Sequence, residues 1–210
     1  MRTRRYLFLF PVFLLAAFAA FPMPAQSSEQ AGQAARVVRD FHDTLLNVMK
    51  GAKQTSVQAR YETLAPAVDR AFHLNLTARQ AAGRRAWKGA TEADKSALSD
   101  VFRRWTIATY ASQFDGWSGQ TFVDHGETQG PQKGTILVKT ELTGEEPVTL
   151  TYLMVLKDGR WGVYDVLVRQ GTTSISQLAK HISEFRGITR NGLSALTATL
   201  EQKTKVLLAP

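Results

Sequence analysis

The sequence predicts an α+β fold with helices packed over one face of a curved four-stranded antiparallel sheet. Three observations carry that expectation. Apolar residues recur at helical spacing through the N-terminal half, change to a period of two after Gly116, and return to helical spacing beyond Thr173. Helices, then a strand meander, then helices is the α+β order, in which strands and helices do not alternate. The sharpest local signal is the turn Lys157-Asp158-Gly159-Arg160, an Asp-Gly pair between two alternating apolar runs. A type I′ turn needs positive φ at both central positions, which this pair supplies, so the segment reads as a tight hairpin.

Taken in order, Val37, Val38, Phe41, Leu45, Val48 and Met49 define a first helix over 29–50, stopped at Gly51. A second helix spans about 56–68 with Tyr61, Leu64 and Val68 on one side, and Pro66 reads as a kink or break. Thr77 reads as the N-cap of a short helix ending near Trp87. Thr91 with Asp94 three residues on forms a capping arrangement opening a long helix that carries Leu98, Val101, Phe102, Trp105, Ile107 and Tyr110. Phe122 begins the sheet. Ile136, Val138 and Leu142 alternate with Lys139 and Glu141, giving one dry and one wet face. The run 148–156 has apolar side chains on both faces and reads as a strand buried on both sides; the hairpin returns through Val163, Tyr164, Val166 and Val168. Ile175, Leu178, Ile182 and Phe185 then define one helix, Asn191-Gly192 punctuates, and Leu193, Leu196 and Leu200 define another.

The N-terminus carries Arg2, Arg4 and Arg5, then an acid-free apolar run over 6–21, then Met23-Pro24-Ala25. This is the layout of a secretory signal over 1–25, and the run is short for a membrane span, so a retained anchor is the weaker reading. The expected mature chain, 26–210, fits one domain. The sequence has no cysteine, so an exported chain must rely on a packed core, and at 44% hydrophobic residues over its full length it can supply one. The formal charge of +8 falls by the three leader arginines to +5. That favours anionic partners such as lipid headgroups and acidic protein faces, or serves solubility alone. Nucleic acid is not expected outside the cytoplasm.

No enzymatic constellation emerges. His42, His73, His125 and His181 are scattered without metal-ligand spacing and read as surface or supporting side chains; no Gly-x-Ser-x-Gly elbow and no Gly-Lys pair occurs. No metal, cofactor or catalytic residue is therefore expected. Asp165, between Tyr164 and Val166 in a strand, is the one carboxylate that stands out. It is either a general base in a cone-shaped α+β small-molecule enzyme or, the heavier reading, an acceptor that fixes a strand end. Aromatics are more informative. Trp105, Tyr110, Phe114, Phe122, Tyr152, Trp161 and Tyr164 lie in elements that face one another once helices cover the sheet, and Val138, Tyr152 and Val166 each lie on an apolar strand face. Such side chains either line a cavity or fill a core, and periodicity does not separate the two. Arg79, Arg84, Arg85 and Lys88 cluster around a short helix and turn, as a partner-docking patch or a solvated basic face.

The strand Trp161-Gly162-Val163-Tyr164-Asp165-Val166 resembles the Trp-Lys-Val-Tyr-Asp-Val strand of the MlaC family, also called the toluene-tolerance family of periplasmic phospholipid-binding proteins. Phe41, Leu45 and Leu46 match the family's opening helix. Ala81-Ala82-Gly83-Arg84-Arg85-Ala86-Trp87 resembles its Leu-Gly-x-x-Trp turn, and Gly192-Leu193 with the segment 196–203 resembles its closing helices. Where many members show Tyr-Arg before the closing Phe, this chain has His181-Ile182, closer to the hopanoid-associated HpnM-type branch. The resemblance implies an apolar cavity holding a phospholipid, with a hopanoid as the alternative cargo. It also implies a soluble shuttle between an inner-membrane ABC transporter complex and an outer-membrane lipoprotein complex. With a lipid as cargo, the facing aromatics and apolar strand positions expected to bind it are Trp105, Tyr110, Phe114, Phe122, Val138, Tyr152, Tyr164 and Val166.

Overall fold

The computed structural model describes residues 25–209, so the expected leader lies outside the described residues except for Ala25. Helix α1 (Ala25–Gly51) buries Ala34, Val38, Phe41, Leu45 and Val48 along one stripe. Helix α2 (Val57–Ala71) starts at Ser56, whose hydroxyl accepts from the Ala59 N–H at 3.1 Å. Pro66 lies inside α2 and does not end it. The lost backbone hydrogen bond costs about 3 kcal/mol; burial of Leu64, Ala67, Val68 and Ala71, where α2 meets α1 and the long helix, offsets that.

The short helix expected at Thr77 is two helices, α3 (Leu74–Ala82) and α4 (Arg84–Gly89), parted by Gly83 at φ 82°. Thr77 is not a cap. Its hydroxyl donates at 3.0 Å to the Tyr164 carbonyl and so ties α3 to the sheet. Helix α5 (Glu92–Gln113) opens with the expected capping box, in which the Thr91 side chain accepts from the Asp94 N–H and the Asp94 carboxylate accepts from the Thr91 N–H. Leu98, Val101, Ile107, Ala108 and Ala111 are fully buried on it.

The sheet has five strands rather than four: β1 (Phe122–Gln129), β2 (Thr135–Leu142), β3 (Val148–Lys157), β4 (Arg160–Gln170) and β5 (Thr173–Ser176), each antiparallel to the next. Asp158 at φ 52° and Gly159 at φ 74° form the β3–β4 turn, which closes on the Lys157–Arg160 pair with both central residues in the left-handed region, as the Asp-Gly pair requires. The missed strand is β5. Ile175 pairs with Val168 in the ladder, although its spacing to Leu178 fits a helix equally well. Helix α6 therefore begins only at Gln177 and runs to Ile188, with the Ser176 hydroxyl accepting from the Ala179 N–H at 2.9 Å. Helix α7 (Leu193–Leu207) packs chiefly on α5, burying Leu193, Leu196 and Leu200.

One face of the sheet is dry. Ile136 and Val138 of β2, Tyr152 and Met154 of β3, and Val163 of β4 are all at most 2% exposed beneath the helices. Strand β3, which its composition predicts to be buried on both sides, is sealed on one side only. Leu153 and Val155 stay half-buried, and their cover comes from neighbours in the ladder, such as Leu137 opposite Leu153. A bulge breaks the β3–β4 register, with Leu153 opposite Asp165 but Met154 opposite Val163, so Tyr164 is the extra residue.

Candidate functional site

Between α3, α5 and α6 on one side and the inner faces of β3 and β4 on the other lies a pocket of about 460 Å³. That is within the ~300–1,000 Å³ of small-molecule sites. Its walls are apolar and aromatic: Phe72, Phe102, Trp105, Tyr110 and Phe114 from the helical side, Leu150, Tyr152, Val166 and Val168 from the sheet. The β4 bulge explains an oddity of that wall. In a regular strand alternate residues face opposite ways, yet Val163, Tyr164, Asp165 and Val166 all reach the pocket because the extra residue re-aims the chain.

The Asp165 carboxylate and the Thr77 hydroxyl on the wall are satisfied by the protein itself, whereas the His181 Nδ1 is buried there without a hydrogen-bond partner. Asp165 is 8% exposed, and its Oδ1 accepts from the Val166 N–H at 2.7 Å and the Leu178 N–H at 2.9 Å, while Oδ2 accepts from the Ser176 hydroxyl at 2.6 Å. Three of its roughly four acceptor sites are thus taken by the start of α6 and by its own strand. The Thr77 hydroxyl is spent on the Tyr164 carbonyl. What such a wall offers a ligand is apolar surface, with Gln113, Gln177, Lys180 and Glu184 at its edge.

Of the eight residues named from sequence as lipid-binding, Trp105, Tyr110, Phe114, Tyr152, Tyr164 and Val166 lie together on this wall. Phe122 and Val138 do not. Phe122 stacks on His42 with ring centroids 3.8 Å apart, and Val138, opposite Tyr152 in the ladder, is 1% exposed in the core one strand further out. The face of α6 that carries Gln177, Lys180, His181 and Glu184 was missed. Those residues recur at helical spacing, which predicts a shared face but not what it looks upon. Arg84 and Arg85 line a separate recess beside α6, whereas Arg79 and Lys88 are exposed and outside it.

The histidines are not surface side chains, His125 excepted. His42 is 4% exposed, and its Nε2 shares a 2.8 Å hydrogen bond with the Tyr152 hydroxyl behind the pocket wall. Burial pushes its pKa down from 6.5 to about 4, against the opposing pull of the Asp124 carboxylate. Burial likewise lowers His181 and His73, the latter aided by the Arg160 charge. Below pH 6.5 the unfolded chain therefore takes up a proton that folded His42 refuses until about pH 4. Stability from this group is whole above pH 6.5 and falls on acidification, by about 3 kcal/mol at pH 4. Urea midpoints should drop less between pH 7 and pH 4.5 in His42→Gln than in the wild type; parallel drops would show that His42 is not responsible.

Among the described residues no group of His, Asp and Glu is placed to hold a metal ion, and no helix is long and apolar enough to cross a membrane. No curated protein matches the chain. The solved structure of the phospholipid-binding protein from Ralstonia solanacearum, in complex with a phospholipid, shares its fold with a TM-score of 0.70 at 21% identity, covering 84% of this chain and 99% of that one. The family model described as MlaC protein matches residues 39–202, from α1 into α7. The chain belongs to the MlaC family.

Proposed function

We propose that this protein is an exported, periplasmic carrier that holds the acyl chains of a phospholipid in the pocket between α5, α6 and the sheet. On this reading it shuttles the lipid between an inner-membrane ABC transporter complex and an outer-membrane lipoprotein complex. The observation that carries the reading is the character of the wall: an aromatic and aliphatic pocket in which the Asp165 carboxylate and the Thr77 hydroxyl already have partners within the protein. Acyl methylenes gain about 0.8 kcal/mol each on leaving water. A bilayer gives the same gain, so a useful carrier holds its cargo nearly isoenergetically with membrane and leaves direction to contacts at the docking partners. Chemistry at a reacting bond is not needed, and the Asp165 carboxylate is occupied in holding α6. The family membership and the phospholipid in the Ralstonia relative support the cargo class. Arg79, Arg84, Arg85 and Lys88 supply the basic face toward the partners.

Native mass spectrometry of the purified protein, with lipid analysis of its organic extract, tests this. A bound mass equal to a phospholipid is expected. A hopanoid in the extract would change the cargo, and protein mass alone with a lipid-free extract would overturn the carrier reading.

A further inference from the structure

We infer that the recess between α4 and the α6–α7 junction is a binding cleft for an acidic, partly apolar segment of a partner protein, gripped by Arg84, Arg85, Arg186 and Arg190. The recess has a volume of about 680 Å³. The four guanidinium groups come from three elements: α4, α6 and the 3-10 turn Thr189–Asn191 that follows it. All four residues are exposed, and none has an ion pair or side-chain hydrogen bond among the described residues. The single acid on the lining, Asp94, is committed elsewhere: its carboxylate accepts from the Thr91 hydroxyl at 2.6 Å and the Thr91 N–H at 3.3 Å. Four positive charges thus surround one concavity against the single Asp94 carboxylate, a net positive arrangement that favours an incoming anion.

Shape selects the class of anion. Beneath the arginines the floor is apolar, with Ala81, Ala82 and Leu193 buried and Ala86, Ala90 and Ile182 half-buried. A soluble polyphosphate would leave that floor unused, and a flat bilayer surface could not reach into it. A peptide with Asp or Glu beside small aliphatic residues satisfies both, since guanidinium forks match carboxylates two bonds at a time. The site is also distinct from the lipid pocket. Helix α6 turns Gln177, His181 and Glu184 toward that pocket and Ile182 and Arg186 toward the recess. A partner seated in the cleft therefore bears on the same helix that walls the lipid, which rests on the carrier reading for its purpose but not for its chemistry.

The test is fluorescence anisotropy of a short labelled peptide of Glu and Leu titrated with the full-length mature protein at low ionic strength. Binding is expected to the wild type, to weaken about tenfold or more in Arg186→Glu with Arg190→Glu, and to weaken again in Arg84→Gln with Arg85→Gln on the opposite wall. Lys53→Glu with Lys205→Glu makes the same change in net charge on exposed positions away from the cleft, and should alter affinity by less than about twofold. Phosphatidylglycerol vesicles and inorganic phosphate serve as alternative anions. No binding to the wild type, equal losses in the cleft and control variants, or arginine dependence seen only with the vesicles or phosphate would overturn the inference. Lipid content of the organic extract is read in parallel and should be unchanged in every variant, so failure of the carrier reading registers separately.

Discussion

Replacing Asp165 by Ala should cost about 3–5 kcal/mol of stability, the largest effect expected of any single exchange outside the aliphatic core. The carboxylate takes three donors at 2.6–2.9 Å, two of them backbone N–H groups, in a site 8% exposed. Alanine strands those donors, and each buried unpaired group costs about 1–3 kcal/mol. Asp165→Asn keeps one carbonyl acceptor and the volume, so about half the loss should return. The readout is the urea midpoint at unchanged slope; an Ala variant within about 0.5 kcal/mol of the wild type would refute the anchoring role. Because Leu178 is the second residue of α6, the same exchange loosens the helix that walls the pocket, and bound lipid should fall with stability.

Most of this anchoring was legible as a category and not as a geometry. The sequence shows a carboxylate in a strand, for which the ordinary use is to accept backbone hydrogen bonds. Which backbone it serves depends on the bulge at Tyr164 and on the late start of α6, and neither has a local signature. Strand β5 is hidden for a related reason. Ile175, Leu178, Ile182 and Phe185 keep helical spacing across the strand–helix boundary, so periodicity assigns all four to one element, while pairing with Val168 claims the first. Where turn chemistry is specific, the reading is accurate. The Asp158-Gly159 turn and the Thr91–Asp94 capping box are dictated by local sterics and hydrogen bonding, and both stand as expected. Pro66 shows the opposite case, a local penalty outweighed by burial of its neighbours.

The pocket was legible by halves. Trp105, Tyr110 and Phe114 come from one helix and its C-terminal cap, and Tyr152 and Val166 from one face of the sheet, so their meeting follows from helices covering a sheet. Phe122 and Val138 belong to the same face yet miss the wall because they sit toward the β1 side of the sheet, where α1 fills the space and His42 stacks on Phe122. Lateral position across a sheet depends on strand order and register, which periodicity does not carry. The same limit separated Arg84 and Arg85 from Arg186 and Arg190, about a hundred residues apart in the chain and brought to one recess by the α3–α6 contact.

That distinction between wall and core makes a sharp test on strand β3. Leu150 is half-buried and lines the pocket opposite Val168, so a larger side chain there enters open space instead of packed core. Leu150→Trp should exclude roughly three methylenes of cargo, at ~0.8 kcal/mol each, and weaken the hold on lipid by more than about tenfold. Stability should change by less than about 1 kcal/mol, since no close-packed neighbour is displaced. Leu153 is the control: equally half-buried and on the same strand, but facing away from the helices. Leu153→Trp should leave lipid content as it is. The measurement is the molar ratio of lipid to protein in organic extracts of the three proteins, read beside their melting temperatures. If both variants lose lipid alike, or neither does while both stay folded, the cargo does not lie between α5 and the β3–β4 face, because only a ligand seated there distinguishes the two sides of one strand.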